Sequence, residues 1–235
     1  MKAQSLLLQT MLAGAGVLLA ASAHATILTF DLDPAVPNYG DIPGSYGDNV
    51  NAASDAVGSY LVGNGYTPNV TTDYRTWQIS TDTVAYNNLD FWATGYGDLT
   101  NVAFSVVSGD HFAEITLVPE PGGAIRLNSF DVGGYYITDH PSSQVRILDG
   151  TSNTILVDYS PVTILGTGGT HSTFTPGLTH EGPLSIRFGY NDWNVGIDNI
   201  NFDQVAVVPE PETYAMLLAG LGLVGFMARR RKQNV

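Results

Sequence analysis

The clearest fold signal in the chain is Leu184-Ser185-Ile186-Arg187-Phe188-Gly189-Tyr190, in which apolar and polar side chains alternate. This two-residue period is the period of a β-strand that lies with one face on a core. The same alternation opens residues 26–32, where Leu28, Phe30 and Leu32 share one face. Other segments have strand lengths, are rich in β-branched and aromatic residues, and are bounded by Gly, Asn, Asp or Pro. They are residues 102–107, 112–118, 125–132, 144–148, 154–159 and 197–207.

Short strands at this spacing predict an all-β fold, with residues 26–207 as a single jelly-roll-like antiparallel β-sandwich. An N-terminal signal helix and a short C-terminal transmembrane helix are expected to flank it. We find no amphipathic helical pattern and no linker-like stretch between the two ends. Residues 108–111 predict a hairpin turn between the strands at 102–107 and 112–118.

Composition excludes several classes of function. The chain has 235 residues and no Cys, so disulfides, thiol nucleophiles and Cys-ligated metals are ruled out. Residues 26–208 hold 20 acidic residues against 4 Arg and no Lys, a net charge of −16. Binding to nucleic acid needs cations that displace the counterions of phosphate, so no nucleic-acid partner is expected.

The first 25 residues have the pattern of a secretory signal peptide. Lys2 supplies a positive charge, an apolar stretch follows, and Ala23 and Ala25 place small residues where a signal peptidase cuts. The pattern predicts export through the general secretory route and a mature chain that begins at Thr26. The alternative is an uncleaved N-terminal membrane anchor.

The C-terminal segment contains a proline-rich motif, a short apolar run and a basic stop. The motif is Val208-Pro209-Glu210-Pro211, the apolar run is 214–228, and the stop is Arg229, Arg230, Arg231 and Lys232. A helix of that length rises only about 22 Å, against a hydrocarbon core of roughly 30 Å. The basic residues should stay cytoplasmic, which leaves the motif outside. Hydropathy alone also fits an ordinary C-terminal membrane anchor.

This arrangement resembles the PEP-CTERM sorting signal of Gram-negative bacteria that make exopolysaccharide and biofilm. The resemblance implies an exosortase-type processing enzyme as partner, transient residence in the inner membrane, and delivery to the cell surface or extracellular matrix. It predicts a structural or adhesive protein that contacts extracellular polysaccharide. The second copy of the tetrapeptide, at 118–121, is followed by two glycines and not by an apolar run, so it predicts a turn.

The last predicted strand, with Ile197-Asp198-Asn199-Ile200, resembles the final strand of galactose-binding-like jelly rolls, which include many carbohydrate-binding modules. In that family an acid on this strand helps to hold a structural calcium. The resemblance implies Asp198 as a ligand, with Asp31 or Asp33 from the first strand as partners. The alternative is that Asp198 and Asn199 cap a turn. No other cofactor is expected.

Two further classes of function are open. A carbohydrate-binding module would stack sugar rings on Trp77, Trp92 or Trp193, although each indole could equally be packed in the core. A secreted hydrolase would need converging carboxylates or a Ser–His pair. The sequence has no nucleophile elbow, no metalloprotease motif and no phosphate-binding loop. It therefore predicts a protein that is not an enzyme.

Overall fold

The computed structural model describes residues 25–31, 39–51, 65–107, 109–189, 194–206 and 220–221. Within these ranges the chain forms fifteen strands. They are β1 Thr26–Leu28, β2 Tyr39–Asp41, β3 Val70–Gln78, β4 Thr83–Tyr86, β5 Asp90–Trp92, β6 Val102–Phe104, β7 His111–Pro119, β8 Gly123–Gly134, β9 His140–Asp149, β10 Ile155–Asp158, β11 Val162–Ile164, β12 Ser172–Phe174, β13 Leu178–Glu181, β14 Leu184–Gly189 and β15 Val195–Ala206.

The strands form two antiparallel sheets that pack as a sandwich, so the all-β sandwich prediction is confirmed. The eight-stranded sheet has the order β12-β8-β15-β6-β5-β2, with β1 beside β15 and β13 beside β8. The seven-stranded sheet has the order β10-β9-β14-β7-β3-β4, with β11 beside β9. The predicted signal helix lies outside the described residues. Of the predicted membrane helix only Gly220 and Leu221 are described, both helical, and the described residues include no helix long and apolar enough to span a membrane.

The alternating segment at 184–190 becomes β14, a central strand between β7 and β9. Leu184, Ile186 and Phe188 are fully buried in the core between the sheets. The polar side chains of the opposite face are buried as well, and the Trp77 ring covers that of Arg187. Ser185 shares a hydrogen bond of 2.7 Å with Thr116, and Arg187 pairs with Glu114.

The two ends of the sandwich meet in the eight-stranded sheet. β1 pairs antiparallel with β15, which places Thr26 opposite Phe202. The pairing of β15 with β8 shifts register between Asp198 and Asn201, where Asn199 has a φ of 53°.

The predicted hairpin at residues 108–111 is wrong. β6 belongs to the eight-stranded sheet and pairs with β5 and β15, whereas β7 belongs to the seven-stranded sheet. The connection therefore crosses between the sheets, a change that local turn chemistry does not reveal. The predicted turn at 118–121 is confirmed, since residues 120–122 link β7 to β8 and Gly123 N donates to Glu120 O at 2.8 Å.

A second apolar cluster lies on the outer face of the eight-stranded sheet. Its buried members are Tyr96, Leu99, Val102 and Phe104, and Trp92 and Tyr135 pack against them. The segment 93–101 lies close against the sheet because two glycines permit it. A Cβ on Gly133 would come within 2.4 Å of Tyr96 O, and one on Gly196 within 2.5 Å of a Val102 methyl group. This covering segment forms one wall of the site described next.

Candidate functional site

An aromatic cavity opens on the outer face of the eight-stranded sheet, at the edge where β2, β5 and β6 lie side by side. Its volume is about 330 Å³, and it is lined by Tyr39, Trp92, Tyr96, Phe104, Val106 and Tyr135. Five of these six side chains are aromatic. The aromatic cavity is therefore suited to a ligand that offers flat apolar faces or a diffuse positive charge.

Strand register brings the lining residues together. Tyr39 lies opposite Trp92 in the β2–β5 pair, and Asp90 lies opposite Phe104 in the β5–β6 pair. Phe91, between Asp90 and Trp92, points the other way and is buried in the main core. Since side chains alternate along a strand, Asp90 and Trp92 share the outer face with the aromatic cavity.

The segment 93–101 supplies the deeper wall. Tyr96 is 2% exposed and forms isolated bridges with Leu99 and Tyr135. Gly97 N donates to Gly134 O at 3.1 Å, and the Asp98 carboxylate lies 2.8 Å from His171 Nδ1. These contacts attach the segment to β8 and to the region before β12, so Tyr96 is held in place.

The rings form a continuous row. Tyr39 lies 5.5 Å from Trp92 and 6.5 Å from Phe104 between ring centroids. Tyr96 lies 5.9 Å from Phe104 and 4.9 Å from Tyr135. These spacings are those of favourable aromatic pairs. One end of the row is open to solvent, because Tyr39 is 52% exposed.

The other end of the row is an exposed aromatic side chain held in a strained turn. Tyr136 is 79% exposed, and its ring lies 5.7 Å from that of Tyr135. Tyr136 and Ile137 have φ values of 57° and 54°, in the left-handed region. Two consecutive residues with positive φ are typical of a type I′ turn, which favours Asn-Gly. A bulky pair here costs about 1–3 kcal/mol per residue. Such strain occurs at functional sites, so Tyr136 is a candidate contact residue.

A pair of carboxyl groups borders the aromatic cavity beside Tyr39. The Tyr39 hydroxyl donates to Asp90 Oδ2 at 2.9 Å, and Asn88 Nδ2 donates to Asp41 Oδ1 at 2.8 Å. Burial raises the pKa of Asp90 to about 6; the Tyr39 hydrogen bond lowers it, and a hydrogen bond and charge from Asp41 raise it further. The hydrogen bond to ionised Asp90 in turn raises the pKa of Tyr39.

The two predicted tryptophans that the structure describes have different environments. Trp92 lines the aromatic cavity. Trp77 lies on the other sheet, is 8% exposed, donates from Nε1 to Asp82 Oδ1 at 2.9 Å and has the Arg187 guanidinium 4.3 Å from its ring centroid. That face of the Trp77 indole is covered and so cannot take a sugar. Trp193 lies outside the described residues.

Two of the three predicted calcium ligands lie close together. Asp198 is 4% exposed and accepts from Asn199 N at 2.7 Å, while Asp31 accepts from Asn101 Nδ2 at 2.9 Å. Burial raises the pKa of Asp198 to about 8; the Asn199 N–H lowers it, and the charges of Asp31 and Asp131 raise it further. Asp33 lies outside the described residues. The described His, Asp and Glu include no group of three that could hold a metal ion.

The remaining candidate acids and bases do not meet in the aromatic cavity. Glu114 pairs with Arg187 on the seven-stranded sheet, Glu120 lies in the turn before β8, and Glu181 ends β13 at the far edge of the eight-stranded sheet. His171 contacts Asp98, and His180 lies 3.5 Å from Asp149.

Most of the aromatic cavity was not predicted from the sequence. Tyr39, Asp90, Phe104 and Tyr135 come from four separate segments. The only local signal was the Asp90-Phe91-Trp92 triplet, which places two large rings on opposite faces of one short strand.

Comparison with known proteins identifies the C-terminal segment. Residues 207–232 match the PEP-CTERM protein-sorting motif. The matched range includes the predicted Pro-Glu-Pro motif and the basic stop, which lie outside the described residues. The motif indicates an exported protein that an exosortase sorts, with membrane-anchored sorting before release to the cell surface.

No curated protein matches the chain. Three solved structures resemble its fold weakly, each with 14% identity. The structure described as "CBM4 structure and function" has a TM-score of 0.30 and covers 56% of this chain and 86% of its own. The enzymatically active domain of bacteriophage CBA120 tailspike protein 4 has a TM-score of 0.25 and covers 69% and 21%. The K3 cleaved adhesin domain of Lys-gingipain from Porphyromonas gingivalis w83 has a TM-score of 0.25 and covers 77% and 98%. Resemblances this weak carry no functional inference.

Proposed function

We propose that this protein is a structural or adhesive component of the cell surface or extracellular matrix of a Gram-negative bacterium, and that it contacts exopolysaccharide through the aromatic cavity. The aromatic cavity is the observation that carries the proposal. An open row of rings stacks well on the apolar faces of sugars, and a few polar groups beside it can orient the hydroxyls. A jelly-roll connection of the strands would suit this role.

A carbohydrate-binding module with one defined glycan is the second candidate, and Trp92 favours it. Of the two predicted stacking residues that the structure describes, Trp77 and Trp92, Trp92 lines the aromatic cavity. The two candidates differ in selectivity: an adhesive matrix protein would bind several related polysaccharides, and a module would bind one.

A glycan array probed with the full-length protein in mild detergent tests both candidates. We expect binding that Trp92→Ala or Tyr39→Ala lowers by at least about tenfold, or about 1.4 kcal/mol. Tyr86→Ala is the matched control, since Tyr86 lies on an edge strand of the other sheet and is 48% exposed, against 52% for Tyr39. Equal binding by all variants would contradict carbohydrate contact in the aromatic cavity.

We also propose that the protein is not an enzyme. The carboxyl groups nearest the aromatic cavity already accept side-chain hydrogen bonds, Asp90 from Tyr39 and Asp41 from Asn88. A glycosidase needs two carboxyl groups that flank the scissile bond. The described residues that line the aromatic cavity itself include no carboxylate, Ser or His. New reducing ends after incubation with a bound oligosaccharide, lost in Asp90→Asn, would instead support a secreted hydrolase.

A structural calcium held by Asp31, Asp33 and Asp198 is proposed as the cofactor. The charge of Asp31 acts on buried Asp198, and a divalent cation would relieve that repulsion. Melting curves of the full-length protein in Ca²⁺ and in chelator test it. We expect a higher melting temperature in Ca²⁺ for the wild type and no difference for Asp198→Asn. An unchanged melting temperature in chelator would argue against calcium.

Sorting is tested by the intact mass of the exported protein from cells with and without the processing enzyme. The proposal expects a product that has lost the signal peptide and the segment after the Pro-Glu-Pro motif. A secreted product that keeps residues 229–235 would contradict sorting.

A further inference from the structure

The aromatic cavity has acidic neighbours and no cationic partner in the described part of the chain. Asp90 shares the outer face with Trp92 and Phe104, and Asp41 lies opposite Asp90 in the β2–β5 pair. The ion pairs that the described Arg and His residues form involve carboxylates other than Asp41 and Asp90. In the described part of the chain, the negative charge of the carboxyl pair is therefore not balanced by an Arg or His.

We propose that the aromatic cavity binds the free ammonium group of an amino sugar within a polysaccharide chain. The inference rests on the proposed carbohydrate contact and names the class of sugar. An ammonium group is attracted to ring faces within about 6 Å, and the attraction grows where water is excluded. It would also form a charge-assisted hydrogen bond with a carboxylate.

The carboxyl pair is suited to such a cation. Asp41 and Asp90 lie opposite each other in the β2–β5 pair, so two negative charges are neighbours here. An ammonium group beside them would form a charge-assisted hydrogen bond and offset one of those two charges. A neutral sugar cannot do so, and a polyanion would be repelled by a sandwich that carries 20 acidic residues against 4 Arg.

The length of the aromatic row favours a sugar chain over an isolated headgroup. From Tyr39 through Phe104, Tyr96 and Tyr135 to Tyr136, successive ring centroids are 4.9–6.5 Å apart. Both end rings are exposed, Tyr39 by 52% and Tyr136 by 79%. A small quaternary ammonium ion is too short to reach both exposed ends, whereas a chain of sugar rings can contact Tyr39 and Tyr136 at once.

Calorimetry on the full-length protein in mild detergent, with three probes, tests the inference. The probes are a short oligosaccharide of glucosamine, the fully N-acetylated oligosaccharide of the same length, and choline. We expect the glucosamine oligosaccharide to bind at least about tenfold more tightly than the other two. Asp90→Asn should reduce its affinity to that of the N-acetylated probe, and Trp92→Ala should weaken both oligosaccharides.

Two control variants separate local from general effects. Glu181→Gln removes one charge at the opposite edge of the same sheet, and Tyr86→Ala removes one exposed ring from the other sheet. Neither should change binding by more than about twofold. If Glu181→Gln weakens binding as much as Asp90→Asn, the attraction is general and the inference is overturned.

The remaining outcomes distinguish this inference from the proposed function. Equal affinity for the two oligosaccharides, with loss in Trp92→Ala, would overturn the ammonium preference and leave carbohydrate contact standing. Binding of choline as tight as that of the glucosamine oligosaccharide would overturn the amino sugar as ligand. No Trp92-dependent binding of any probe would overturn both the inference and the proposed contact.

Discussion

Arg187 and Glu114 form a buried ion pair on the outer face of the seven-stranded sheet, with Arg187 Nη2 2.6 Å from Glu114 Oε2. The two side chains are 8% and 3% exposed, and they lie directly opposite each other in the β7–β14 pair. Arg187 also covers the Trp77 ring. The pair thus closes the outer face of a central strand whose other face lies on the main core.

Removal of one partner of this pair should be costly. Glu114→Gln leaves the Arg187 charge buried beside a neutral amide, and we expect the free energy of unfolding to fall by about 3–5 kcal/mol. Urea denaturation measures it. Asp158→Asn, which breaks the partly exposed pair with Arg146, is the control and should cost less than about 1 kcal/mol. Equal losses in the two variants would show that burial of Arg187 does not matter.

The covering segment 93–101 should depend on Gly133. Gly133→Ala brings a Cβ to 2.4 Å from Tyr96 O, a backbone atom, so the segment must move away from the sheet. We expect destabilisation of about 1–3 kcal/mol and a shift in Trp92 fluorescence. Gly44→Ala is the control, because its Cβ would meet nothing within 4 Å. A Gly133→Ala protein with wild-type stability and fluorescence would contradict this role of the glycine.

Asp90 should make the fold less stable as the pH rises. Its pKa is raised from 3.8 to about 6 in the folded protein, so between these values the folded state binds more protons than the unfolded state. Stability is therefore highest below about pH 4 with respect to this group and is lost as the pH rises through about 6. Asp90→Asn should remove this part of the pH dependence in urea denaturation at pH 4.5 and pH 7.5. An unchanged difference between the two pH values would assign it to other carboxyl groups.

The strained turn should separate stability from binding. Asn at position 136 and Gly at position 137 both tolerate a positive φ. We therefore expect the double variant to have a higher melting temperature and a free energy of unfolding larger by about 1–3 kcal/mol. The same double variant should bind oligosaccharide more weakly, because it deletes the exposed end of the aromatic row. A single Ile137→Gly variant, which keeps Tyr136, is the control and should gain stability with binding intact. Unchanged binding by the double variant would exclude Tyr136 from the contact surface.

Strand prediction from the sequence found some strands of each sheet and missed others. Residues 125–132 and 144–148 lie within the observed strands β8 and β9. The strands that were not predicted are β2, β3, β4, β5, β11, β12 and β13. In β5, Phe91 packs in the main core while Trp92 packs in the outer cluster, so the two-residue alternation disappears. An alternating hydrophobic pattern identifies a strand with one buried face, whereas β5 is packed on both faces.

The predicted site residues show the same limit. The sequence does not distinguish Trp77 from Trp92. In the structure, however, Arg187 covers one face of Trp77, whereas Trp92 lines the aromatic cavity. Which environment each indole has depends on residues far away in the chain. The first and last strands pair in one sheet, which brings the end of β1 near β15, while the calcium site itself stays a prediction.

The sorting signal and the all-β fold class could both be predicted from the sequence alone. A sorting motif is recognised as a continuous segment, and strand alternation is a property of adjacent residues, so neither requires long-range contacts. The aromatic cavity, its carboxyl pair and the exposed turn at Tyr136 form only through strand register and the segment 93–101 that covers the sheet. Those contacts join residues that are distant in sequence, and only the packing of the whole sandwich brings them together.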